Sequence, residues 1–262
     1  MEAAALQRAA GLLGAARTAA NPVPGLAENQ PGTIADGYAV QAALHRYFLA
    51  NSDAVLAGWK IGATTSAMQT YLGVDGPAYG RILSTNVHPP AARLPRTGFC
   101  QPGMECEIAV RVGRNATDTP YTRDTVGDIV DDVMPAIEIV ENRYGDFLSR
   151  GTPTLIADDF FHKACVLGAG NTDWRTIDLA AVAGRTLVDG AEKSSGRGSD
   201  VMGHPLEAVA WLANMLAERG EVLAAGQIVL TGSVAPVIWI DEFPCRTDIE
   251  LDGLGSVSVE LV

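Results

Sequence analysis

Residues 104–110 read MECEIAV, an apolar run that carries two glutamates, Glu105 and Glu107, one residue apart. Side chains alternate between the two faces of a β-strand, so a strand here places both carboxylates on one face and Cys106 and Ile108 on the other. Burying two like charges together costs several kcal/mol unless a cation or a proton offsets their repulsion. The stretch is therefore either the wet face of an edge strand or one side of an ion-binding site.

Short apolar segments of the same kind recur from about residue 55 to the C-terminus. Glycine- and proline-rich turns separate them, as expected for a succession of β-strands. The pattern predicts a β-rich body folded as a rolled or sandwich-like sheet. The predicted strands lie in VLAGWKIG, GRILS, CEIAVRVG, VMPAIEIVE, KACVLGAG, RTLVDG, QIVLTGS and TDIELDGLGSVSVELV.

Helical patterns lie mainly near the N-terminus, at 2–19 and 33–50, where Thr33 is a suitable N-cap for the second helix. The stretch NPVPGLAENQPG between them is rich in Pro, Gly and Asn and predicts a loop. One further helix is predicted in PLEAVAWLANMLAERG, with Pro205 in its first turn and Gly220 at its end.

These patterns divide the chain into two parts and predict an α+β fold. Residues 1–54 form a small helical N-terminal lobe, and residues 55–262 form the β-rich domain. Within the second part, the segment SSGRGSD at 194–200 predicts a mobile loop after a strand, near a pocket. It lacks the glycine spacing of a nucleotide-binding loop.

The composition is that of a globular, acidic protein. Of its 262 residues, 47% are hydrophobic and 19% are charged, and the formal net charge is −12. Nucleic acids and anionic membranes bind surfaces rich in Lys and Arg, so neither is expected as a partner. No apolar run approaches the ~20 residues that span a bilayer. The N-terminus lacks the basic and apolar regions of a signal peptide.

The cysteines indicate a reducing compartment. They show neither CxxC spacing nor the density of a disulfide-rich domain, so we expect reduced thiols and a cytoplasmic protein. The four residues are Cys100, Cys106, Cys165 and Cys245.

A third glutamate extends the opening pattern. Glu138 stands between Ile137 and Ile139 in VMPAIEIVENRYGD, a second apolar strand. A lone glutamate in such a strand usually faces solvent, but three strand-borne carboxylates can converge on one hard divalent cation. Oxygen ligands in this number suit Mg²⁺ or Mn²⁺, which keep open positions for water or a chelating substrate. Spacing alone favours neither alternative.

Six segments occur in an order and with gaps that match a known family. They are AGWKIGATTSAMQTYLGVDGP, ECEIAVRV, MPAIEIVENRY, IADD, GHPLEAVAWLANMLAERGEVLAAGQIVLTGS and DGLGSVSVEL. From about residue 33 to the C-terminus, the sequence resembles the 2-keto-4-pentenoate (2-hydroxypentadienoate) hydratases of the fumarylacetoacetate hydrolase superfamily. The resemblance implies that superfamily's mixed β-sandwich roll, which is usually assembled as a homo-oligomer.

The resemblance also implies roles for individual residues. The three metal-binding carboxylates of the family match Glu105, Glu107 and Glu138, and the bound ion would be Mg²⁺ or Mn²⁺. The active-site lysine beside the substrate matches Lys60, in GWKIG. The implied substrate-binding residues are Leu72, against the substrate's tail, and Thr231, Gly232 and Ser233, opposite the metal.

The chemistry explains why these residue types occur together. A 2-oxo acid chelates a divalent ion through its carboxylate and keto oxygens, and the ion stabilises the enolate. Conjugation carries the polarisation along the chain, so that water can add to the distal double bond. A lysine in a partly dry pocket beside a metal can have its pKa lowered for proton transfer. Lys60 can instead pair with the substrate carboxylate or with a structural acid, and both roles stay open.

Two departures from the family pattern fall near the expected catalytic residues. The family carries an acidic residue where PAYG has Ala78, and it has small polar residues where this chain has FFHK at 160–163. His162 and Lys163 are candidates to supply the missing proton transfer, although exposed positions on a strand or loop are the alternative for each. The pattern suggests that chelation and enolisation persist while the later step or the substrate has changed.

Three further charged residues are weaker candidates. Asp158 is a candidate to bind Lys60 or a metal-bound water. Arg143 and Arg81 are candidates to hold a second carboxylate of a diacid substrate, with surface salt bridges as the alternative for both.

The leading functional hypothesis is a metal-dependent hydratase that acts on a small 2-hydroxydienoic or 2-oxo-enoic acid in aromatic meta-cleavage. The same site would also suit decarboxylation of a 2-oxo diacid such as oxalocrotonate, acylpyruvate hydrolysis or tautomerisation. A non-catalytic partner subunit is a second class, because hydratases and decarboxylases of one pathway associate in this family. Metal-dependent turnover separates the enzyme from the inert subunit.

Overall fold

The structure is a computed structural model that describes residues 1–23 and 25–262. Pro24, in the predicted N-terminal loop, lies outside the described residues. The helices are α1 (Ala3–Thr18), α2 (Ile34–Ala50), α3 (Ser66–Leu72), α4 (Arg123–Val126), α5 (Thr152–Ala157) and α6 (Pro205–Glu218). The strands are β1 (Leu56–Gly62), β2 (Ala78–Leu83), β3 (Val87–His88), β4 (Ala92–Leu94), β5 (Pro102–Val112), β6 (Val130–Glu141), β7 (His162–Leu167), β8 (Ala183–Val188), β9 (Ala191–Arg197), β10 (Ile228–Ser233), β11 (Ile238–Trp239), β12 (Cys245–Leu251) and β13 (Gly255–Leu261).

The strands form two sheets. The larger has the order β2-β1-β10-β5-β6-β7-β3, and β11 also pairs with β5. The smaller has the order β4-β13-β12-β8-β9. Most neighbours are antiparallel, but β1 runs parallel to β10, β13 runs parallel to β4, and β3 runs parallel to β7. This mixed two-sheet arrangement confirms the predicted sandwich-like fold.

Strands β5 and β6 lie at the centre of the molecule. They pair along their full length, and they pack against β8, β12 and β13 of the smaller sheet. Almost every residue of both strands is buried, because the large sheet is covered on both faces. The wet edge-strand alternative for MECEIAV is therefore wrong, and its carboxylates lie in the core.

The N-terminal helices pack on the β-rich body through a second helical layer. Helix α1 packs on α2, and α2 packs on α5, which contacts β2. One apolar cluster runs without a break from Leu13 and Leu44 of these helices to Ile137 of the sheet. Within the described residues, no helix is both long and apolar enough to cross a membrane.

Local capping explains where two of the three predicted helices begin. The hydroxyl of Thr33 accepts a hydrogen bond from the backbone N–H of Asp36 at 3.1 Å and starts α2. Helix α6 begins at Pro205, and His204 Nδ1 accepts from the N–H of Leu206 at 3.1 Å. The three predicted helices are confirmed, with bounds within two residues of those expected.

The segment 194–200 differs from its prediction. Residues 191–197 form the edge strand β9, and a single 3-10 turn follows at Gly198–Asp200. Its polar composition favours a loop, but pairing with β8 supplies the backbone hydrogen bonds of a strand. The prediction of a loop at 194–197 is therefore wrong, but the predicted place near a pocket is confirmed, because Ser195 and Asp200 line a cavity.

Candidate active site

Three glutamates meet where β5 and β6 pair. Glu105 lies directly opposite Glu138 in the antiparallel register, and Glu107 follows two residues later on the same face. Each offers a carboxylate oxygen that lies within 4.8 Å of the others. Alternation along one strand and register between two strands therefore produce the cluster.

Burial sets the charge of this cluster. Glu107 and Glu138 have no exposed surface, and Glu105 is partly buried. Burial and the charge on Glu138 raise the pKa of Glu105 to about 7. The same causes, with the charge on Glu105 added, raise the pKa of Glu107 well above its ordinary value. Burial also raises the pKa of Glu138, but Lys60 and His162 outweigh it and bring the net pKa below its ordinary value.

The cluster fits a hard divalent cation. Glu107 Oε1 and Glu138 Oε2 are buried and accept no hydrogen bond from any described residue. Unsatisfied buried carboxylate oxygens are costly unless a cation or a proton approaches them. Carboxylate oxygens in this number are the donors that Mg²⁺ and Mn²⁺ prefer. The residues present therefore suit the metal that the resemblance implies.

The end of β10 supports Glu107. Gly232 donates its backbone N–H to Glu107 Oε2 at 2.8 Å. Its φ is +115°, and a Cβ there would lie 2.6 Å from the Thr64 side chain, so only glycine suits this position. Thr231 is buried and donates to the carbonyl of Ile108 at 2.7 Å, which secures the strand. Of the predicted TGS residues, Ser233 alone lines the cavity described below.

Lys60 of β1 points at the cluster. Its Nζ lies 3.3 Å from Glu138 Oε1, and its side chain is almost completely buried. Burial lowers the pKa of Lys60, but the three carboxylates raise it, and the net direction is upward. The neighbouring carboxylates thus favour the ammonium form of Lys60, whereas the lowering expected beside a bound metal stays a prediction.

His162 lies behind Glu138, away from the cavity. It is fully buried, and its Nδ1 donates to Glu138 Oε1 at 2.8 Å, since the carboxylate can only accept. Burial is the largest effect on its pKa and lowers the net value. Lys163 points elsewhere, over the ring of Phe99 at 5.7 Å. The geometry makes His162 a group that orients a glutamate, and the exposed alternative for it is wrong.

A large apolar cavity adjoins the cluster. Its volume is about 760 Å³, and Lys60, Glu105, Leu72 and Ser233 all line it. Most of the other lining residues are apolar. A chelating head group can therefore lie at the charged end while the rest of a ligand extends along apolar surface.

Asp158 and Arg143 do not reach this cavity. Arg143 Nε donates to Asp158 Oδ2 at 2.7 Å, and the Tyr144 hydroxyl donates to the same oxygen at 3.0 Å. All three are buried, and none lines the cavity. The expected contact of Asp158 with Lys60 is replaced by this ion pair, and Arg143 is not free to bind a second substrate carboxylate. Arg81 is likewise paired, with Glu221 at 2.7 Å.

The FFHK departure supplies cavity residues that the sequence did not assign. Asp159, Phe160 and Phe161 all have positive φ, between 49° and 71°, and both phenyl rings line the cavity. Phe147 and Tyr71 also line it. The signal available in the sequence was the replacement of small polar residues by two aromatic ones. The buried Ala78, by contrast, pairs with Gly62 and lies outside the lining.

A mixed β-sandwich roll with a three-glutamate site defines the class of protein. The family model described as fumarylacetoacetate (FAA) hydrolase C-terminal matches residues 79–258, more than half of the chain. The protein belongs to this family.

Comparison with individual proteins gives more detail than the family model does. The chain is 34% identical to 2-hydroxyhexa-2,4-dienoate hydratase of Comamonas testosteroni, over 90% of this chain and 89% of that protein. It is 32% identical to a 2-keto-4-pentenoate hydratase of Paraburkholderia xenovorans, over 97% and 94%. Among solved structures, 4-oxalocrotonate decarboxylase from Pseudomonas putida, complexed with magnesium and adipate, matches with a TM-score of 0.93 and 26% identity, over 100% of this chain and 99% of that one. The resemblance and the fold class predicted from the sequence are confirmed.

Proposed function

We propose that the protein is a divalent-metal-dependent hydro-lyase that adds water to a small 2-hydroxydienoic acid or its 2-oxo-enoic tautomer, as in the meta-cleavage of aromatic compounds. One observation carries the proposal: three glutamates converge beside Lys60 at one end of an apolar cavity. The similarity to curated hydratases along 90% or more of the chain supports the reaction class.

Glu105, Glu107 and Glu138 would hold Mg²⁺ or Mn²⁺. The cation would supply Lewis-acid stabilisation for negative charge on the keto oxygen of a 2-oxo acid. His162 holds Glu138 in place through Nδ1, and the N–H of Gly232 holds Glu107. These contacts fix the carboxylates before any ligand arrives, so little reorganisation is needed on binding.

Lys60 has the position to bind and move a proton at the head of the substrate. Its Nζ carries three donors and lies between the glutamates and the cavity. Ketonisation moves a proton from the enol oxygen to the carbon chain and leaves a double bond conjugated to the ketone. Water then adds across that bond, with its oxygen on the carbon distal to the ketone and its proton on the carbon beside it. The apolar lining excludes bulk water from competing positions.

A substrate panel tests this function. The purified protein is mixed with Mg²⁺ or Mn²⁺ and a set of 2-hydroxydienoic acids, and the diene absorbance is followed together with carbon dioxide release. A hydratase removes the absorbance and retains all carbon. Absence of any metal-dependent conversion would contradict the proposal and favour a non-catalytic subunit.

Decarboxylation of a 2-oxo diacid is the second candidate. It is favoured by the likeness to 4-oxalocrotonate decarboxylase along the entire chain. The same panel includes oxalocrotonate, from which a decarboxylase releases carbon dioxide. The paired state of Arg143 and Arg81 weighs against a diacid, because neither is free for the second carboxylate.

The proposal also covers the partners, the oligomeric state and the compartment of the enzyme. Its partner is a small-molecule acid, and we propose a cytoplasmic homo-oligomer that associates with a decarboxylase of its pathway. The four cysteines are free thiols, and three of them are buried, which suits a reducing compartment. Light scattering of the purified protein, alone and mixed with such a decarboxylase, measures both associations.

A further inference from the structure

We infer that the cavity beyond the glutamates is a subsite for an uncharged, bulky apolar or aromatic substituent at the distal end of the substrate. The inference rests on the proposed function, since it takes the 2-oxo acid head to lie at Lys60 and the glutamates. It adds a substrate class: dienoic acids whose tail is an alkyl or aryl group larger than methyl, as opposed to diacids.

Four aromatic side chains form a continuous surface along the cavity, here called the aromatic wall: Phe160, Phe161, Phe147 and Tyr71. Successive ring centroids are 5.7, 5.2 and 6.3 Å apart, with interplanar angles of 67° to 85°. These are edge-to-face contacts, which stabilise aromatic pairs and leave ring faces available to a ligand. The wall begins at Lys60, whose Nζ lies 5.5 Å from the Phe160 centroid. It ends at Tyr71, which is 56% exposed and marks the mouth.

The inner end of the wall is held rigidly. Asp159, next to Phe160, accepts hydrogen bonds from Arg17 at 2.5 Å and from the backbone N–H of Arg81 at 2.9 Å. The first contact is buried and the second partly buried, and together they hold the left-handed backbone that turns both phenyl rings into the cavity. Gly62 completes the fit, because a Cβ there would lie 2.5 Å from the Phe160 ring. A rigid apolar surface binds an apolar tail with little ordering cost to the protein itself.

Charge excludes a second carboxylate. Among the described residues that line the cavity, Lys60 is the only cation, and it is already beside Glu138. The other charged lining residues are Glu105 and Asp200, both acidic. A distal carboxylate in this cavity would lose water without gaining a cation, which strongly disfavours its binding.

The volume of the cavity also favours a large apolar tail. The cavity of about 760 Å³ falls within the ~300–1,000 Å³ of sites that enclose drug-sized ligands. A five-carbon acid bound at the glutamates would leave most of this apolar surface in contact with water. A larger tail removes that surface from water, which favours binding in proportion to the area covered.

Binding of saturated 2-oxo acids tests the inference without turnover. Calorimetric titration of the Mg²⁺-loaded protein compares 2-oxopentanoate, 2-oxo-5-phenylpentanoate, 2-oxohexanoate and 2-oxohexanedioate. We expect the phenyl compound to bind at least about 10-fold more tightly than 2-oxopentanoate. We expect the diacid to bind at least about 10-fold more weakly than 2-oxohexanoate. Equal binding within either pair, or no binding by any of the four, would overturn the inference.

Substitutions in the aromatic wall test whether it causes the tighter binding of the phenyl compound. Phe147→Ala and Phe161→Ala are expected to weaken binding of 2-oxo-5-phenylpentanoate about 5-fold or more while leaving 2-oxopentanoate within 2-fold. Phe147 lies in a half-buried loop position, so its variant remains informative if Phe161→Ala is unstable. Leu148→Ala is the matched control, because Leu148 is an exposed neighbour outside the cavity. Equal weakening of both ligands by the two Phe variants would overturn the assignment.

Turnover separates this inference from the proposed function. If no dienoate is hydrated but the ligand ranking holds, the reaction is wrong and the subsite stands. If dienoates are hydrated and diacid or short tails are preferred, the reaction stands and the subsite is wrong.

Discussion

Lys60 is placed so that its two open roles can be separated by substitution. We expect Lys60→Met to lower kcat/KM about 100-fold or more, because a positioned proton-transfer group contributes at least that much. Affinity for Mg²⁺ should be equal or higher, since a positive charge 3.3 Å from Glu138 is removed. The measurements are steady-state kinetics and Mg²⁺ titration of the same preparation.

Lys60→Arg is the companion variant. Arginine keeps the charge but does not release its proton near neutral pH. Recovery of activity in this variant would assign Lys60 to carboxylate binding, and no recovery would assign it to proton transfer. A wild-type rate in Lys60→Met would remove Lys60 from the reaction.

Glu107 tests the metal assignment. We expect Glu107→Gln to reduce Mg²⁺-dependent hydration to below about 1%, because an amide oxygen is a much weaker ligand for a hard cation than a carboxylate. The fold should persist, since the change is isosteric and takes one acid out of a crowded, buried cluster of acids. Circular dichroism checks the fold and the diene assay checks the rate. Glu242→Gln, at an exposed position, is the control. Retained turnover in Glu107→Gln would exclude the three-glutamate site.

These residues also show what a sequence pattern can and cannot predict. The three glutamates could be predicted, because alternation and an apolar context mark them on two strands. The pairing of Arg143 with Asp158 could not, since it depends on how the loop after β6 folds back on α5. A buried arginine and an exposed one look alike in the sequence.

The segment Asp159–Phe161 is the element that most shapes the cavity. Three consecutive non-glycine residues with positive φ are costly, and each needs support from its surroundings. That support comes from elements distant in sequence: Arg17 of α1 and His45 of α2 both bind Asp159 Oδ2. The N-terminal helices thus hold a cavity wall that they do not themselves line.

The lowered pKa of Asp159 makes the stability that this segment contributes depend on pH. Burial raises that pKa, but the charges on His45 and Arg17 outweigh it and hold the net pKa well below its ordinary value. In the unfolded chain this carboxyl group has a pKa of about 3.9. Its contribution to stability is therefore fully present above about pH 4 and is lost as the pH falls toward the folded-state pKa.

We expect Arg17→Met to lower the free energy of unfolding at pH 7 by about 3–5 kcal/mol, because it leaves a buried carboxylate without its guanidinium partner. The remaining stability should also fall less steeply than in the wild type as the pH drops below about 4. Urea unfolding at several pH values measures both effects. Arg93→Met is the control: its pair with Glu260 has a similar distance of 2.8 Å but is exposed, and such pairs contribute about 0–1 kcal/mol. Equal losses in the two variants would contradict the anchoring role of Arg17.

Strands were predicted correctly where the side chains show an apolar pattern. The prediction failed where only pairing with a neighbouring strand determines the structure. The apolar, β-branched segments of β5, β6 and β10 were predicted because burial on both faces demands such residues. AEKSSGR has no such pattern, and it becomes β9 only because β8 presents an unpaired edge to it. Tertiary context overrides local preference at a sheet edge.

The two predicted parts of the chain share their apolar core. Leu13 and Leu44 belong to the same buried cluster as Ile137, although they lie in the predicted N-terminal lobe at 1–54. Composition and periodicity mark where helices give way to strands, but they do not reveal which apolar faces meet. The division at residue 54 thus remains a prediction about the sequence, while the packing joins the two parts.

The glutamates lie on the two central strands, so metal binding and global stability should be linked. Without a cation, folding places three acids together in the core, and two of them have raised pKa values. A ligand that binds only the folded state stabilises it by about 2.7 kcal/mol at a concentration 100-fold above Kd. For a chain of this size, that corresponds to a rise in Tm of about 5–10 °C.

We therefore expect Mg²⁺ or Mn²⁺ to raise the Tm of the protein previously treated with a chelator, and we expect the rise to be absent in Glu107→Gln. Differential scanning calorimetry with and without the cation measures it, and NaCl at matched ionic strength controls for screening. The metal-free Glu107→Gln protein should melt no lower than the metal-free wild type, because one buried acid is gone. An equal Tm rise in both proteins would place the cation elsewhere on the acidic surface, and no rise in either would mean that the cluster is held together by protons alone.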